Sequence, residues 1–440
     1  MIEPILFSPA TNPPAAKMNI VVFEDAGVDK LYPITTSRPA YAITCGSFRL
    51  IDWLLELDAN LVGLVRPYLE TIQFSDFPQL ADRLDSNLKW TLVVNARLVP
   101  TVSNVRKLQS MLGQSESDEA IVVRAGWSTA AAIVPTQQLA STDKSNWGKL
   151  IEEFSCEPDT EQSENGFELL EYPHDVILQN LSCFGASLAH RIGTGRYEQL
   201  QKGVHIGDGV EISDHVVFDS STGAIVIEDG ARIGPMSFLR GPIYIGPASK
   251  ISEHSSIKDA VSIGRKCKIG GEVEGCVVES YSNKQHHGFL GHSYLGSWIN
   301  LGAGTCNSDL KNTYGTVNVD YGNEKAGKQK VSTGSQFIGC VMGDYAKTAI
   351  NTCIFTGKTI GVGSMVYGFA TTNVPSFVNY ARTFGEMGGL PPEVIIKTQQ
   401  RMFARRDVKQ RPCDMQLIHD MYRLTKNERP DGLSDEPIGL

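Results

Sequence analysis

Residues 225–270 read IVIEDGARIGPMSFLRGPIYIGPASKISEHSSIKDAVSIGRKCKIG, and one large apolar residue recurs at every sixth position. The register begins before this stretch, with three extra residues ahead of Ile227. The recurring residues are Ile206, Ile212, Phe218, Ile227, Ile233, Leu239, Ile245, Ile251, Ile257, Ile263 and Ile269. A period of six fits neither a helix nor a long flat strand. It predicts a parallel β-helix of very short strands, with three six-residue sides per coil.

The same period predicts how the repeat continues to residue 380. A two-residue slip after Ile269 restores the register, and a loop insertion at 306–334 then interrupts it. Long loops in compact repeats are usually functional. The predicted inward residues are Val277, Asn283, Phe289, Leu295 and Leu301 before the insertion, and Met342, Thr348, Ile354, Ile360 and Val366 after it.

Composition limits the classes of protein to consider. The chain has 440 residues and a formal net charge of −9, which argues against bulk affinity for nucleic acid or an anionic membrane surface. Its nine cysteines are scattered and form no CxxC pair, which favours reduced thiols in a cytoplasmic protein. Residues 1–18 lack the pattern of a signal peptide, and we expect a short leader there.

The first half has the alternating pattern of an α/β domain. Hydrophobic runs such as NIVVFED, at 19–25, and WTLVVNARLV alternate with helical stretches, which predicts an open, mostly parallel sheet over 19–190. We expect a linker at 191–203 and a helical tail at 381–440. Ligands of such sheets bind beyond the carboxyl ends of the strands, which selects Glu24, Asp25 and Asn95.

Three histidines lie close together within 283–305, NKQHHGFLGHSYLGSWINLGAGT. The predicted register places His286 and His292 outward and His287 half-inward. A residue that meets substrate on a solenoid must point outward, so a catalytic base would be an outward histidine. A three-histidine metal site is disfavoured because the rings would diverge.

Two motifs resemble known families. KLYPITTSRPAYAI, at 30–43, resembles the LxPLTxxRP signature of sugar-nucleotide pyrophosphorylases, although FEDAGVD replaces their glycine-rich loop. The stretch at 283–305 resembles the acetyltransferase half of the GlmU family, which reads KxxHxxYLGxxxIGxxxNIGAGT, and is closest to an alternate bacterial branch. The resemblance implies a nucleotidyltransferase-like, Rossmann-like domain followed by a left-handed β-helix. It also implies a homotrimer with sites between subunits.

The resemblance also implies roles for residues of the second half. Counting back from Asn300 makes His286 the catalytic base that takes a proton from an amine during acetyl transfer. Asn300 would hold the sugar, Lys284 and Lys330 would meet a sugar phosphate, and Phe289 stands where the family has a substrate tyrosine. Acetyl-CoA would contact Ala303, Gly304 and Lys347.

In the first half, the resemblance implies a nucleotide site. Lys30 and Arg38 would hold a triphosphate, beside Glu24, Asp25 and Asn95. If this domain is active, UTP would bind with Mg²⁺ near Asp25 and Asn95.

The sequence thus predicts a bifunctional enzyme of sugar-nucleotide biosynthesis. It would acetylate an amino-sugar phosphate such as glucosamine 1-phosphate with acetyl-CoA and transfer a uridylyl group. Two alternatives stay open: a sugar acyltransferase with an inactive nucleotidyltransferase-like domain, and a non-catalytic scaffold that senses sugar nucleotides. The roles of His287, His292 and the basic tail around Arg401, Arg405 and Arg406 also stay open.

Overall fold

A computed structural model of the protein describes residues 18–57, 59–113, 121–153, 166–323 and 327–434. The strands of the first half are β1 Asn19–Phe23, β2 Thr44–Cys45, β3 Phe48–Arg49, β4 Asn60–Leu64, β5 Trp90–Asn95, β6 Ile121–Ala125 and β7 Ser128–Pro135. The aliphatic strand β1 is buried along its whole length and pairs in parallel with β4 and β5, so it forms the centre of the sheet.

The main sheet of the first half is mixed, and four of its five strands run in one direction, which fits the predicted mostly parallel sheet. Its order is β4-β1-β5-β7-β6, and β7 runs antiparallel to both β5 and β6. The physical reason lies in the turn between β6 and β7, which consists of Gly126 and Trp127. A two-residue turn can join only antiparallel neighbours, and Gly126 has the positive φ of 58° that such turns need.

Helices cover this sheet and also follow the solenoid. The α-helices are α1 Leu50–Leu55, α2 Glu70–Asp76, α3 Val102–Leu112, α4 Thr136–Ala140, α5 Trp147–Glu153, α6 Pro173–Thr194, α7 Pro392–Ala404 and α8 Pro412–Leu424. Short 3-10 helices lie at Ala26–Leu31, Ala40–Ala42, Pro67–Leu69, Lys144–Asn146, Arg382–Phe384 and Lys426–Glu428.

The second half is a parallel β-solenoid with three faces. Face I contains Glu198–Gln201, Val204–Ile206, Ile225–Ile227, Ile243–Ile245, Val261–Ile263, Val277–Val278, Tyr294–Leu295, Cys340–Met342 and Lys358–Ile360. Face II contains Glu211–Ile212, Arg232–Ile233, Lys250–Ile251, Lys268–Ile269, Asn283–Lys284, Lys347–Thr348, Met365–Val366, Val378–Ala381 and Glu386–Gly389. Face III contains Val217–Asp219, Phe238–Arg240, Ser256–Lys258, Glu272–Glu274, Phe289–Gly291, Cys306–Asn307, Cys353–Ile354 and Phe369–Ala370.

The six-residue register is confirmed up to Ile269 and corrected beyond it. From Ile227 to Ile269 the predicted inward residues are buried and pair with one another from coil to coil. After Ile269 the steps between inward residues shorten before Val273, before Val278 and again before Leu295, because Val273 pairs with Ile257, Val278 with Ile263, and Leu295 with Val278. The predicted inward positions Val277, Asn283 and Phe289 were therefore wrong by one residue. The inward residues there are Val278, Lys284 and Leu290, whereas Leu295, Leu301 and the buried residues from Met342 to Val366 fit the prediction.

The predicted insertion 306–334 contains regular structure. Strand Cys306–Asn307 belongs to face III, and Asn318–Asn323 pairs antiparallel with Gly327–Ser332 in a hairpin. Tyr321 Oη lies 2.7 Å from His174 Nδ1. Because His174 belongs to α6, this contact fixes the hairpin against the first half.

The two halves share a buried boundary. Helix α6 packs on the outer side of face I, where Phe184 and Leu188 meet Val226 and Tyr244. A single hydrophobic cluster continues from the first half into the solenoid and the helices α7 and α8. In the part of the chain that the structure describes, no helix has the length and apolar character needed to cross a bilayer.

Candidate functional site

The histidine and GAGT motifs meet at one corner of the solenoid, between faces II and III. The Gly304 N–H donates to the His287 carbonyl at 3.1 Å, and the Asn351 N–H donates to the Ala303 carbonyl at 2.7 Å. Gly304 has a φ of +74°, and a β-carbon there would lie 2.1 Å from Asn351 Oδ1. Glycine at this position therefore lets three successive turns stack closely.

His286 is exposed at this corner. No hydrogen bond, ion pair or ring contact involves its imidazole within the described residues. The prediction that His286 points outward fits this position. His287 is also exposed, so its predicted half-inward placement was wrong. The error follows from the shifted register, because Lys284 rather than Asn283 is the inward residue that precedes the turn.

His292 has the strongest side-chain partner of the three histidines. Its Nδ1 lies 2.8 Å from Asp309 Oδ2, and its ring packs 5.3 Å from that of Phe337. The pair is mostly buried, with exposed side-chain fractions of 14% and 13%. His292 therefore links two coils of the solenoid through its contact with Asp309. Among the described residues, no group of three histidine, cysteine or acidic side chains is arranged to hold a metal ion.

Lys284 does not lie where a sugar phosphate would meet it. Its side chain points into the solenoid and is only 2% exposed, and its Nζ donates to the carbonyls of Gly270 and His286, each at 2.8 Å. Burial lowers the pKa of Lys284 to about 8. Its observed role is to fix the carbonyl of His286, so the predicted contact of Lys284 with substrate does not fit the structure.

Asn300 and Lys347 lie side by side on face II. Asn300 forms β-bridges with Asn283 on one side and Lys347 on the other. Asn300 is exposed, and its Oδ1 accepts a 3.2 Å hydrogen bond from Asn283. Lys347 Nζ donates to the Tyr345 carbonyl at 2.9 Å, and burial lowers its pKa to about 8. This face adjoins the corner that carries Ala303 and Gly304.

Two other predicted substrate residues lie elsewhere. Phe289 is on face III, half-buried, with its ring over Gly291. Lys330 is exposed on the hairpin, opposite Asp320 in the strand pairing. The structure thus places at or beside one corner of the solenoid the residues His286, Asn300, Ala303, Gly304 and Lys347. Phe289 lies on the adjoining face III, and Lys330 lies on the hairpin.

The predicted metal residues of the first half are engaged in an internal ion pair. Arg97 Nε and Nη2 donate to the two carboxylate oxygens of Asp25, each at 2.7 Å, and Asn95 Nδ2 donates to the same carboxylate at 2.9 Å. Arg97 is 1% exposed. Burial acts to raise the pKa of Asp25, but the hydrogen bonds and charge of Arg97 outweigh it and hold that pKa below its ordinary value.

The loop after β1 is shaped around Arg97. A β-carbon at Gly27 would lie 2.5 Å from the Arg97 guanidinium carbon, so glycine leaves room for this side chain. The guanidinium of Arg97 therefore occupies the space enclosed by the FEDAGVD segment, which stands where the resembling pyrophosphorylases have a glycine-rich loop.

The other predicted nucleotide-binding residues are also paired internally. Glu24 accepts from Arg66 Nε at 3.0 Å and from the Ala40 N–H at 2.9 Å. Lys30 Nζ lies 3.3 Å from Glu171 Oε2, in an exposed pair. Arg38 Nη2 donates to both carboxylate oxygens of Asp344 at 2.6 Å.

A magnesium ion does not fit the residues at this sheet edge. Mg²⁺ requires carboxylate oxygens at close range, and both oxygens of Asp25 already accept from a buried guanidinium. The amide oxygen of Asn95 accepts from the Arg97 N–H at 2.9 Å, and Asn95 itself is fully buried. Within the described residues, the Asp25 carboxylate is already engaged, and a cation placed here would face the guanidinium of Arg97 at short range.

Several partners were missed in the sequence. Arg97 lies two residues after Asn95 in the VVNARLV run, and a basic residue at a strand end was a usable signal. Asp344 and Glu279 gave no local signal, because they bind Arg38 across more than two hundred residues of chain.

Comparisons with known proteins support the resemblance of this chain to sugar nucleotidyltransferases and to GlmU. Residues 20–188 match a family model described as a sugar nucleotidyl transferase. The bifunctional protein GlmU of Acaryochloris marina is 30% identical over 183 residues, which is 41% of this chain and 30% of that protein. The GlmU of Synechococcus elongatus is 31% identical over 170 residues, or 38% and 28%. The GlmU of Cupriavidus pinatubonensis is 31% identical over 118 residues, or 26% and 25%.

Two solved structures are similar to part of this chain at low sequence identity. A hexapeptide transferase family protein from Anaplasma phagocytophilum is 14% identical, with 46% of this chain and 95% of that chain covered and a TM-score of 0.21. The acetyltransferase domain of PglB from Neisseria gonorrhoeae, in complex with acetyl coenzyme A, is 12% identical, with 50% and 78% covered and a TM-score of 0.19.

The chain is GlmU-like in sequence, with a sugar nucleotidyltransferase-type first half followed by a β-solenoid. The matched part spans about a quarter to a third of the length of these GlmU relatives.

Proposed function

We propose that the protein is a sugar acyltransferase whose first domain has lost nucleotidyl transfer. One contrast carries this proposal. His286 is exposed beside the GAGT turn, whereas Asp25, the predicted metal ligand, is held by a buried arginine. The acceptor would be an amino-sugar phosphate, by similarity to GlmU, and the donor would be acetyl-CoA.

In this reaction the imidazole of His286 takes a proton from the amine as the amine nitrogen attacks the thioester carbonyl. A nitrogen–carbon bond forms, the carbon–sulfur bond breaks, and the departing thiolate of coenzyme A receives a proton. Asn300 would orient the sugar through its exposed amide. The Ala303–Gly304 turn and Lys347 would contact coenzyme A. Lys284 would position His286 through its carbonyl rather than contact substrate.

The proposed enzyme is a homotrimer with sites between subunits. Exposed apolar side chains near the His286 corner support this assembly. Ile350 is 69% exposed next to Asn351, and Phe355 and Phe369 are each 48% exposed on neighbouring coils. Apolar residues clustered on a flat solenoid face are typical of subunit contacts.

Two assays test the proposal. Release of free thiol from acetyl-CoA, measured with a panel of amino-sugar phosphates including glucosamine 1-phosphate, should be detectable for the wild-type chain. His286→Ala should lower kcat by about 10²- to 10⁴-fold, the usual contribution of a general base. His287→Ala is the matched control, because it changes the neighbouring exposed histidine and should leave kcat within a few fold. Equal kcat for His286→Ala and the wild type would reject the base assignment.

The second assay measures release of pyrophosphate from UTP and N-acetylglucosamine 1-phosphate with Mg²⁺. We expect no turnover above background. Steady pyrophosphate release would restore the bifunctional alternative. Absence of activity in both assays would favour a non-catalytic sensor.

A further inference from the structure

A large cavity lies where the two halves of the chain meet the C-terminal helices. Its volume is about 1040 Å³. The first half contributes Arg38 and Arg49, the solenoid contributes Arg265, and the C-terminal segment contributes Lys409. It is separate from the His286 corner and from the Asp25 edge of the sheet, since neither residue lines it. Its size is in the range of cavities that hold small metabolites.

Two arginines that line this cavity are already engaged in ion pairs. Arg38 binds Asp344 and also lies 3.4 Å from Glu279. Arg49 pairs with Asp52 at 2.6 Å, within the first half. The contacts of Arg38 join the first half to the solenoid, and there Arg38 faces two carboxylates. Arg38 and Arg49 are therefore already paired and are not available to an anionic ligand.

Two exposed cations that line the cavity differ from these paired arginines, because no ion pair involves them within the described residues, whereas the partly exposed Arg411 of the same lining pairs with Asp76 at 2.7 Å. These two cations are Arg265 and Lys409, which are both exposed and line the cavity. Within the residues that the structure describes, neither side chain forms an ion pair. Two unpaired cations from distant parts of the chain therefore face one cavity in a protein whose net charge is −9. This arrangement favours an anionic ligand that bridges them.

One wall of the cavity is aromatic. The rings of Tyr281 and Trp298 stack with centroids 4.3 Å apart and an angle of 6°, and Trp298 packs 4.3 Å from Phe403. Tyr281 and Trp298 have φ values of 66° and 62°, which are strained for bulky residues. Tyr281 and Trp298 thus form a stack of two half-buried rings that lines the cavity. Such a surface suits a planar ring system.

We propose that this cavity binds a nucleoside diphosphate group, either in a free nucleotide or in a nucleotide-linked sugar. The base lies against the Tyr281–Trp298 wall, and the diphosphate bridges Arg265 and Lys409. The site depends on the contact between the halves, so bound ligand stabilises their docked arrangement. The proposal does not rest on acyl transfer, because binding at this cavity needs no turnover.

Binding is tested on the full-length chain by calorimetry and by thermal unfolding. The probes are uridine diphosphate, adenosine diphosphate, uridine diphosphate N-acetylglucosamine and inorganic pyrophosphate. We expect at least one of the three nucleotides to raise Tm and to bind more tightly than pyrophosphate. A higher affinity for the sugar-linked probe than for free uridine diphosphate would identify a nucleotide-linked sugar, and the reverse would identify a free nucleotide.

Variants locate the binding. The double variant Arg265→Ser, Lys409→Ser should weaken binding of the preferred nucleotide by about tenfold or more, since it removes two charge-assisted contacts. Tyr281→Leu should weaken nucleotide binding but not pyrophosphate binding. Lys250→Ser is the matched control, because Lys250 is an exposed solenoid lysine outside the cavity, and it should change nothing.

Arg265 and Lys409 are exposed, so replacing them should leave the fold intact. The Tm of the double variant without ligand should therefore match that of the wild type, and a lower Tm would reveal misfolding. No binding of any nucleotide would overturn the proposal. So would nucleotide binding that the double variant leaves unchanged. Neither result depends on the thiol-release assay, so failure of this proposal and failure of the acyltransferase proposal can be told apart.

Discussion

Arg97 and Asp25 form a two-point ion pair, Nε to Oδ1 and Nη2 to Oδ2, both at 2.7 Å, at the carboxyl edge of the first-half sheet. A buried arginine thus occupies the position where a nucleotide-bound cation was expected. The pair joins the loop after β1 to the end of β5. The sheet edge that was predicted to bind a ligand is therefore part of the structural core.

Breaking this pair should destabilise the fold strongly. Arg97→Leu leaves Asp25 without its counter-charge in a buried site, and we expect the free energy of unfolding to fall by about 3–5 kcal/mol. Arg97→Leu combined with Asp25→Asn should recover part of that loss. Urea denaturation measures both. Lys30→Leu is the control, since its pair with Glu171 is exposed and should be worth about 1 kcal/mol or less. A loss for Arg97→Leu no larger than that of the control would contradict the structural role.

Acid sensitivity follows from the lowered pKa of Asp25. A carboxyl group whose pKa is lower in the folded than in the unfolded state contributes stability above the unfolded value, near 3.8, and loses it as pH falls through the folded value. The wild type should therefore lose stability below about pH 4. Asp25→Asn should show a shallower loss over the same pH range, measured by urea midpoints. Identical slopes would mean that Asp25 is not held ionised by Arg97.

Arg38 should couple the two halves of the molecule. Its guanidinium reaches Asp344 and Glu279 of the solenoid, so Arg38→Leu leaves two buried carboxylates without a counter-charge. We expect thermal unfolding to separate into two transitions, and limited proteolysis to release the first half sooner. Arg49→Leu is the control for Arg38→Leu, because Arg49 lines the same cavity but pairs with Asp52 within the first half. A single cooperative transition in both variants would argue against coupling through Arg38.

The buried Lys284 should give the solenoid an alkaline stability gain. Its pKa of about 8 lies below the ordinary 10.5, so the unfolded chain binds more protons between these values and stability rises with pH there. The contribution is at most about 1.4 kcal/mol per pH unit. Lys284→Met should reduce this slope in urea titrations from pH 8 to 10. The exposed Lys250→Met should leave it unchanged. An unaltered slope in Lys284→Met would show that Lys284 is not the group responsible.

Subunit contacts should depend on the apolar residues beside the His286 corner. Ile350→Lys with Phe355→Lys places two charges in the proposed interface and should convert the trimer to a monomer, measured by light scattering. Acyl transfer should fall together with the trimer. Trp127→Lys is the control, because Trp127 is 82% exposed on the first half and lies far from that corner in the chain. A wild-type chain that is already monomeric would refute the assembly.

The sequence by itself determined the solenoid, because a period of six can be satisfied only by short strands that each bury one residue per side. It also placed His286 outward and beside GAGT, since both features depend on residues close together in the chain. It misplaced Lys284 and His287, because successive coils can lose residues at several corners without any change in composition.

Only the tertiary structure decided the state of the first half. Glu24, Asp25, Lys30 and Arg38 look like free ligands in the sequence, yet each has an internal partner. An ion pair depends on distance in space, and Arg38 and Asp344 are 306 residues apart in the chain. The junction cavity, which Arg265 and Lys409 line without an ion-pair partner among the described residues, likewise exists only once both halves and the C-terminal helices are packed together.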